Sequence, residues 1–268
     1  MKPTRNPWAR TGAGLAWHLW LPVLLVAGSL LLSQQFSSHY FPPLRTIAEQ
    51  TWVIWFDGGG MAENLLPSLL RLLAGFCAAV VAGVLLGTLL GLMPRTEEAL
   101  RPLTDSFRAI PGAALLPIAL MFFGTGEAMK IVLIAFISMW PIMLNTIDGV
   151  RSVNPTLGQV MESFKLRPLD RFWHIYLPAA APQVFAGART ALAIGVAVMV
   201  VVEMFGTPGG LGYFIRHAQE NFQVVAMWTG MLVLGVFGYL LNALFRAFEK
   251  RILNWHHAMV AHTQGASS

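Results

Sequence analysis

The sequence predicts an all-α integral membrane protein, a bundle of six transmembrane helices, from three observations. Of its 268 residues, 56% are hydrophobic and only 12% charged, about half the share carried by soluble domains. Six segments, approximately 15–33, 64–93, 103–123, 128–148, 179–205 and 223–245, are apolar enough over the ~20 residues that a membrane helix requires. Lys and Arg also collect on alternate connections. With the N-terminus inside, the inner segments hold Lys2, Arg5, Arg10, Arg95, Arg101, Arg151, Lys165, Arg167, Arg171, Arg246, Lys250 and Arg251. The outer ones hold only Arg45, Lys130 and Arg216, the bias expected when the basic side is cytoplasmic. Both termini are thus predicted to be cytoplasmic. No two-residue alternation of a barrel is present, and a lipid-facing backbone must bond to itself, so the spans are helical.

The first run follows a basic segment but ends in Ser33-Gln34-Gln35-Phe36 without a small-x-small cleavage site, so it is read as a retained helix. Phe36, Tyr40, Phe41, Trp52 and Trp55 cluster before the second run, and Thr51–Phe56 is too short to cross, which predicts an outer interfacial segment. The second and fifth runs exceed one crossing and are expected to tilt or protrude. Only Gly124-Thr125-Gly126-Glu127 separates the third from the fourth, which predicts a tight antiparallel hairpin. The one sizeable inner connection is 150–178. No internal repeat and no independent soluble domain is visible. The chain divides into 1–63 (inner N-terminus, first helix and outer segment), a five-helix core 64–250, and an inner tail 251–268.

Several chemistries lack their residues. None of the four lysines follows a glycine, so there is no phosphate-binding loop, and Gly206–Gly212 reads as a turn on the outer face. His256, His257 and His262 are poorly placed for a metal, since adjacent histidines do not face one another on a helix. Cys77 is alone and forms no intrachain disulfide. No catalytic, metal-binding or cofactor-binding residue is predicted. The net charge of +5 follows from basic inner loops and needs no nucleic acid as partner; the lipid bilayer suffices.

Arg71, Asp105, Arg108, Asp148, Arg189 and Glu203 are costly in lipid and are expected to face the bundle or an interface. Asp105 and Arg108 are spaced to pair on one helical face. Pro111, Pro117 and Pro141 interrupt helical hydrogen bonding. Arg108, Pro111, Pro117 and Glu203 are therefore candidates for a pathway or gate, while a structural pair or an interfacial position is the alternative for each charge. An ion channel or secondary transporter would use these charges as ion or proton sites. An intramembrane enzyme would need a convergent polar cluster that the sequence does not display.

Charge gathers instead on the inner loop. Arg167, Asp170 and His174 mix with Leu169, Phe172, Trp173 and Tyr176, whose spacing of three and four marks one helical face. Pro168 can open a short helix and Pro178 the next one. Such an aromatic face needs a cover: its own bundle, the headgroup layer, or a partner subunit.

The ending Ile175-x-Leu177-Pro178 resembles the EAA loop, E-A-A-x3-G-x9-I-x-L-P, of permeases from binding-protein-dependent ABC importers. Further stretches resemble the nitrate/sulfonate/taurine branch: Ser68–Phe76, Arg108–Pro111 with Leu116-Pro117, Phe123–Glu127, Arg171–Pro178, Glu203–Gly206 and Gly210–Tyr213, in order across about residues 41–255. The resemblance implies a MetI-like permease fold, a second permease copy (a homodimer by default), two cytoplasmic ATPases that carry the ATP and Mg, and an external solute-binding protein. It implies an inner-membrane location and import of a small, anionic solute. The ATPases would grip Gln159, Lys165, Arg167, Pro168, Asp170, Phe172, Trp173, Tyr176, Leu177 and Pro178. The motif departs where the family's glutamate falls on Gln159 and its glycine on Lys165, while Glu162 comes three residues late. Either the ATPase partner has diverged to match, or coupling is weakened. Lysine at the glycine position must adopt another backbone or bear the strain.

Overall fold

The computed structural model describes residues 40–153, 163–205 and 208–254, with Trp20 and Gly28 ahead of them. The predicted first span otherwise lies outside the described residues, as do Gln159, Glu162 and the tail from 255. Within the described residues the chain is helical: α1 (Leu44–Trp52), α2 (Leu66–Leu92), α3 (Pro94–Ala109), α4 (Leu116–Phe123), α5 (Glu127–Arg151), α6 (Pro168–Arg171), α7 (Leu177–Phe205), α8 (Leu211–Glu220) and α9 (Val224–Ile252). Among the described residues four stretches are long and apolar enough to cross a membrane: Met61–Leu92, Glu127–Arg151, Phe172–Phe205 and Val224–Ile252.

The third predicted span is not one helix. Pro94–Ala109 and Gly112–Phe123 meet at an angle of 90°. Pro111 supplies no N–H and pushes the residue before it out of helical geometry, and Ile110 is extended at φ −72°, ψ 122°. A tight 3₁₀ turn, Gly112–Leu115, then leads into α4. Pro117 breaks nothing, because it lies in the first turn of α4, where no N–H is needed. Gly124 turns the chain at φ +67°, giving the predicted hairpin into α5.

The core is α2 against α5 and α5 against α7. On α2, Gly75, Ala79, Gly83, Gly87 and Gly91 recur every four residues and are all buried. A Cβ at any of these glycines would stand 2.6–2.9 Å from Ile134, Ile142, Thr146 or Val150 of α5. Helices gain no hydrophobic drive toward one another in lipid, so close backbone approach through small residues supplies the packing. Leu72, Ile134, Leu192 and Met199 fill the centre.

The outer segment differs from the reading as wholly interfacial. Trp52 and Phe56 do stack on the surface, 4.6 Å apart, but Trp55 is fully buried against Leu211 and Ile215 of α8. Its indole N–H donates to Thr229 Oγ1 of α9 at 3.2 Å. Residues 206–222, read only as an outer segment, contain α8, whose Leu211, Ile215 and Ala218 form a buried stripe.

Candidate functional site

The charged stretch before the last but one span reaches the membrane helix without a joint. From Pro168 the chain is helical through α6, widens into a π-helical turn at Phe172–Tyr176, and continues as α7. Pro178 therefore does not start a new helix, contrary to the sequence reading. A proline clashes with the carbonyl four residues back, here His174, and the wider turn that precedes it accommodates the ring. Lys165 adopts φ +50°. It takes the glycine conformation and bears the strain rather than finding another backbone. Arg171 Nε donates to the Leu166 carbonyl at 2.9 Å, tying the turn to the helix.

On this extension Trp173 is 59% exposed, with Phe172 against it edge-on, ring centroids 5.0 Å apart. Lys165, Arg167, Asp170 and Pro178 are exposed, whereas Phe172, Tyr176 and Leu177 are half-buried. The aromatic face thus divides into an anchoring side and an open side.

At the opposite end the structure joins charges that the sequence kept apart. Arg71 donates through Nε and Nη2 to both oxygens of Glu127, at 2.5 and 2.8 Å, and through Nη1 to Glu203 at 2.8 Å and to the Gly209 carbonyl at 2.9 Å. Ser68 Oγ donates to Glu203 and accepts from the Leu211 N–H, both at 2.8 Å. Glu203 also accepts from the Gly212 N–H at 3.0 Å. Lys130, fully buried, pairs with Glu127 at 3.1 Å. Two cations and two carboxylates balance, and the network joins four elements: α2, α5, α7 and the start of α8. Gly210, at φ +112°, is required because a Cβ there would lie 2.5 Å from the Glu203 carboxyl. Glu203, read from sequence as a gate or an interfacial residue, is the buried centre of this clamp. Glu127, placed by sequence in the turn, and Lys130, placed among the outer basic residues, gave no sign of this pairing, because a carboxylate opening a helix resembles an ordinary first-turn acid.

Between the two ends, the break before Gly112 opens a cleft of about 380 Å³. Phe107 of α3 stacks on Trp140 of α5, centroids 5.8 Å apart and 10° from parallel, and Phe136 meets Trp140 edge-on. Ile137, Leu144 and Ile194 complete the wall, and Arg108 and Pro111 stand on its rim. Asp105 pairs with Arg108 at 3.0 Å as the spacing predicted. Pro117 and Glu203 do not line this cleft. A polar recess of about 230 Å³, lined by Glu97, Arg101, Asp105, Asp148 and Arg151, shares Arg108 and Leu144 with it. The charges that an ion-channel reading needs are thus mostly engaged in structural pairs. Among the described residues no group of His, Cys, Asp or Glu could hold a metal.

Comparisons with known proteins agree with this architecture. Residues 79–254 match the family described as the binding-protein-dependent transport system inner membrane component. The chain is 32% identical over 241 residues to a nitrate import permease of Synechocystis, covering 87% of each. It is 29% identical over 238 residues to the taurine transport system permease of Escherichia coli, covering 87% of this chain and 86% of that one. Against a putative aliphatic sulfonates transport permease of Bacillus subtilis it is 31% identical, covering 75% and 72%. The fold superposes on a chain of the MetNI methionine ABC transporter in an inward-facing conformation, with a TM-score of 0.60 at 20% identity, over 75% of this chain and 97% of the other. Helix order, the helical extension before α7 and the family match converge: the chain belongs to the binding-protein-dependent transport system inner membrane components, as a multi-pass, non-enzymatic permease subunit of an ABC importer.

Proposed function

We propose that two copies of this permease, driven by two cytoplasmic ATPases that hold the ATP and Mg, pass a small anionic solute of the nitrate, taurine or sulfonate kind delivered by an external solute-binding protein. The solute class is that of the named relatives. Both termini lie on the cytoplasmic side in this reading, and the core 64–250 carries the movement. The observation that carries it is Trp173, uncovered on a rigid extension of a membrane helix. An exposed tryptophan at the inner end of an unbroken helix is a handle: whatever grips it displaces the whole of α7. Closure of the ATPases on ATP would draw two such handles together and rock the α2–α5–α7 core between inward-open and outward-open states. Lys165, Arg167, Asp170 and the exposed face of Pro178 flank the grip, while Phe172, Tyr176 and Leu177 brace it from behind. Arg108 and Pro111 line the solute path. Glu203 holds its outer end in register rather than opening it.

The experiment is a pull-down of the ATPase subunits on detergent-solubilised permease carrying Phe172→Asp with Trp173→Asp. Association should be lost while the variant still inserts and elutes as a single species. ATPase retention at the wild-type level would overturn the handle.

A further inference from the structure

We propose that the cleft at the α3 break is a binding station for an organic anion, a sulfonate or carboxylate with an apolar body, held by Arg108 against the aromatic wall. This rests on the importer reading and narrows its solute. The first support is the cation. Arg108 lines both the cleft and the polar recess beside it, and a guanidinium inside a membrane bundle is tolerated only where it faces water or a counter-ion. Its side chain is about half exposed, and its one ion pair among the described residues is to Asp105, 3.0 Å from Nε. The fork of donors on a guanidinium matches an oxyanion in geometry.

The second support is the wall. Phe107, Phe136, Trp140, Ile137 and Ile194 present apolar surface that a bare inorganic anion cannot use, whereas an alkyl or aryl body covers it and gains from its removal from water. The volume of about 380 Å³ falls in the range of small-molecule sites, where a few polar groups orient a mostly apolar contact. The third is connection. The polar recess shares Arg108 and Leu144 with the cleft, so an anion released from Arg108 next meets Arg101 and Arg151, whose charge is shared with Glu97 at 3.1 and 3.0 Å, which keeps it from lodging there. Station and exit are arranged in series.

The test uses the full-length permease assembled with its ATPases in lipid nanodiscs, without binding protein, titrated calorimetrically at constant ionic strength with 1-butanesulfonate, 1-butanol and nitrate. Butanesulfonate should bind saturably and at least about tenfold more tightly than either of the others. Arg108→Gln should weaken it by about tenfold or more, the worth of a charged hydrogen bond, and Arg108→Lys by less. Arg108 and its partner Asp105 are each about half exposed, so neither change threatens the fold, and ATPase co-purification with the variants verifies assembly. Absence of saturable butanesulfonate binding, equal binding of butanol (a lipid-type groove), equal binding of nitrate, or indifference to Arg108→Gln would each overturn the station. The titration repeated on the permease alone separates the two ideas: loss of ATPase association sinks the importer mechanism, not the station.

Discussion

At the scale of single residues, the structure turns on positions where a side chain and a backbone demand conflict. Glu203 is 1% exposed, and three donors, Ser68 and Arg71 of α2 and the Gly212 N–H of α8, converge on it. Glu203→Ala would leave Arg71 short of a partner inside the bundle, and breaking one side of a buried pair costs on the order of 3 kcal/mol. A lowered melting temperature in detergent, with α8 opened to protease, is the expected result; an unchanged melting profile would show the clamp to be ornamental. Lys165 is the converse case. A non-glycine residue at positive φ costs roughly 1 kcal/mol, so Lys165→Gly should raise thermal stability slightly and preserve ATPase association. If Lys165→Gly weakened association, the ammonium itself would be part of the grip.

At the scale of elements, legibility depended on whether a helix was continuous. The apolar runs for α2, α5, α7 and α9 are visible because each is long, and their bounds agree to within a few residues except where polar ends extend them. Residues 103–123 carried enough apolar residues for one crossing, yet Pro111 divides them, and the amphipathic α3 begins nine residues earlier. Hydropathy sums over a window and cannot see a bend. α8 escaped notice for a similar reason: ten residues with one buried stripe are too few to register against flanking glycines. The α2 glycine ladder predicts a specific fragility. Gly87→Leu would drive a side chain into Met143 and Thr146; overpacking of this kind costs about 1–3 kcal/mol, read as lost thermal stability or a shifted elution profile. Gly126→Leu, where nothing lies within 4 Å of a Cβ, should have a smaller effect.

For the whole molecule, the arrangement is a rigid core with a handle at one end and a clamp at the other. If α7 is the transmission, its two ends lie on opposite sides of the membrane. In a Cys77→Ala background, Arg167→Cys should react with an impermeant maleimide only from the cytoplasmic side and Gln219→Cys only from the outer side; both positions are exposed. Labelling of both from the same side would overturn the orientation and the mechanism with it.

The order of hydrophobic runs, the basic bias of alternate loops and the aromatic inner segment were all readable from residues alone, because the cost of placing charge in lipid is a property of composition and acts locally along the chain. What only the tertiary structure decided is which buried charges meet and where the membrane helix breaks open. Arg71, Glu127 and Glu203 are more than fifty residues apart in sequence, and no spacing rule links them. Their pairing depends on glycines that let α2, α5 and α7 approach closely, and the cleft beside Arg108 on the break of the chain at Pro111.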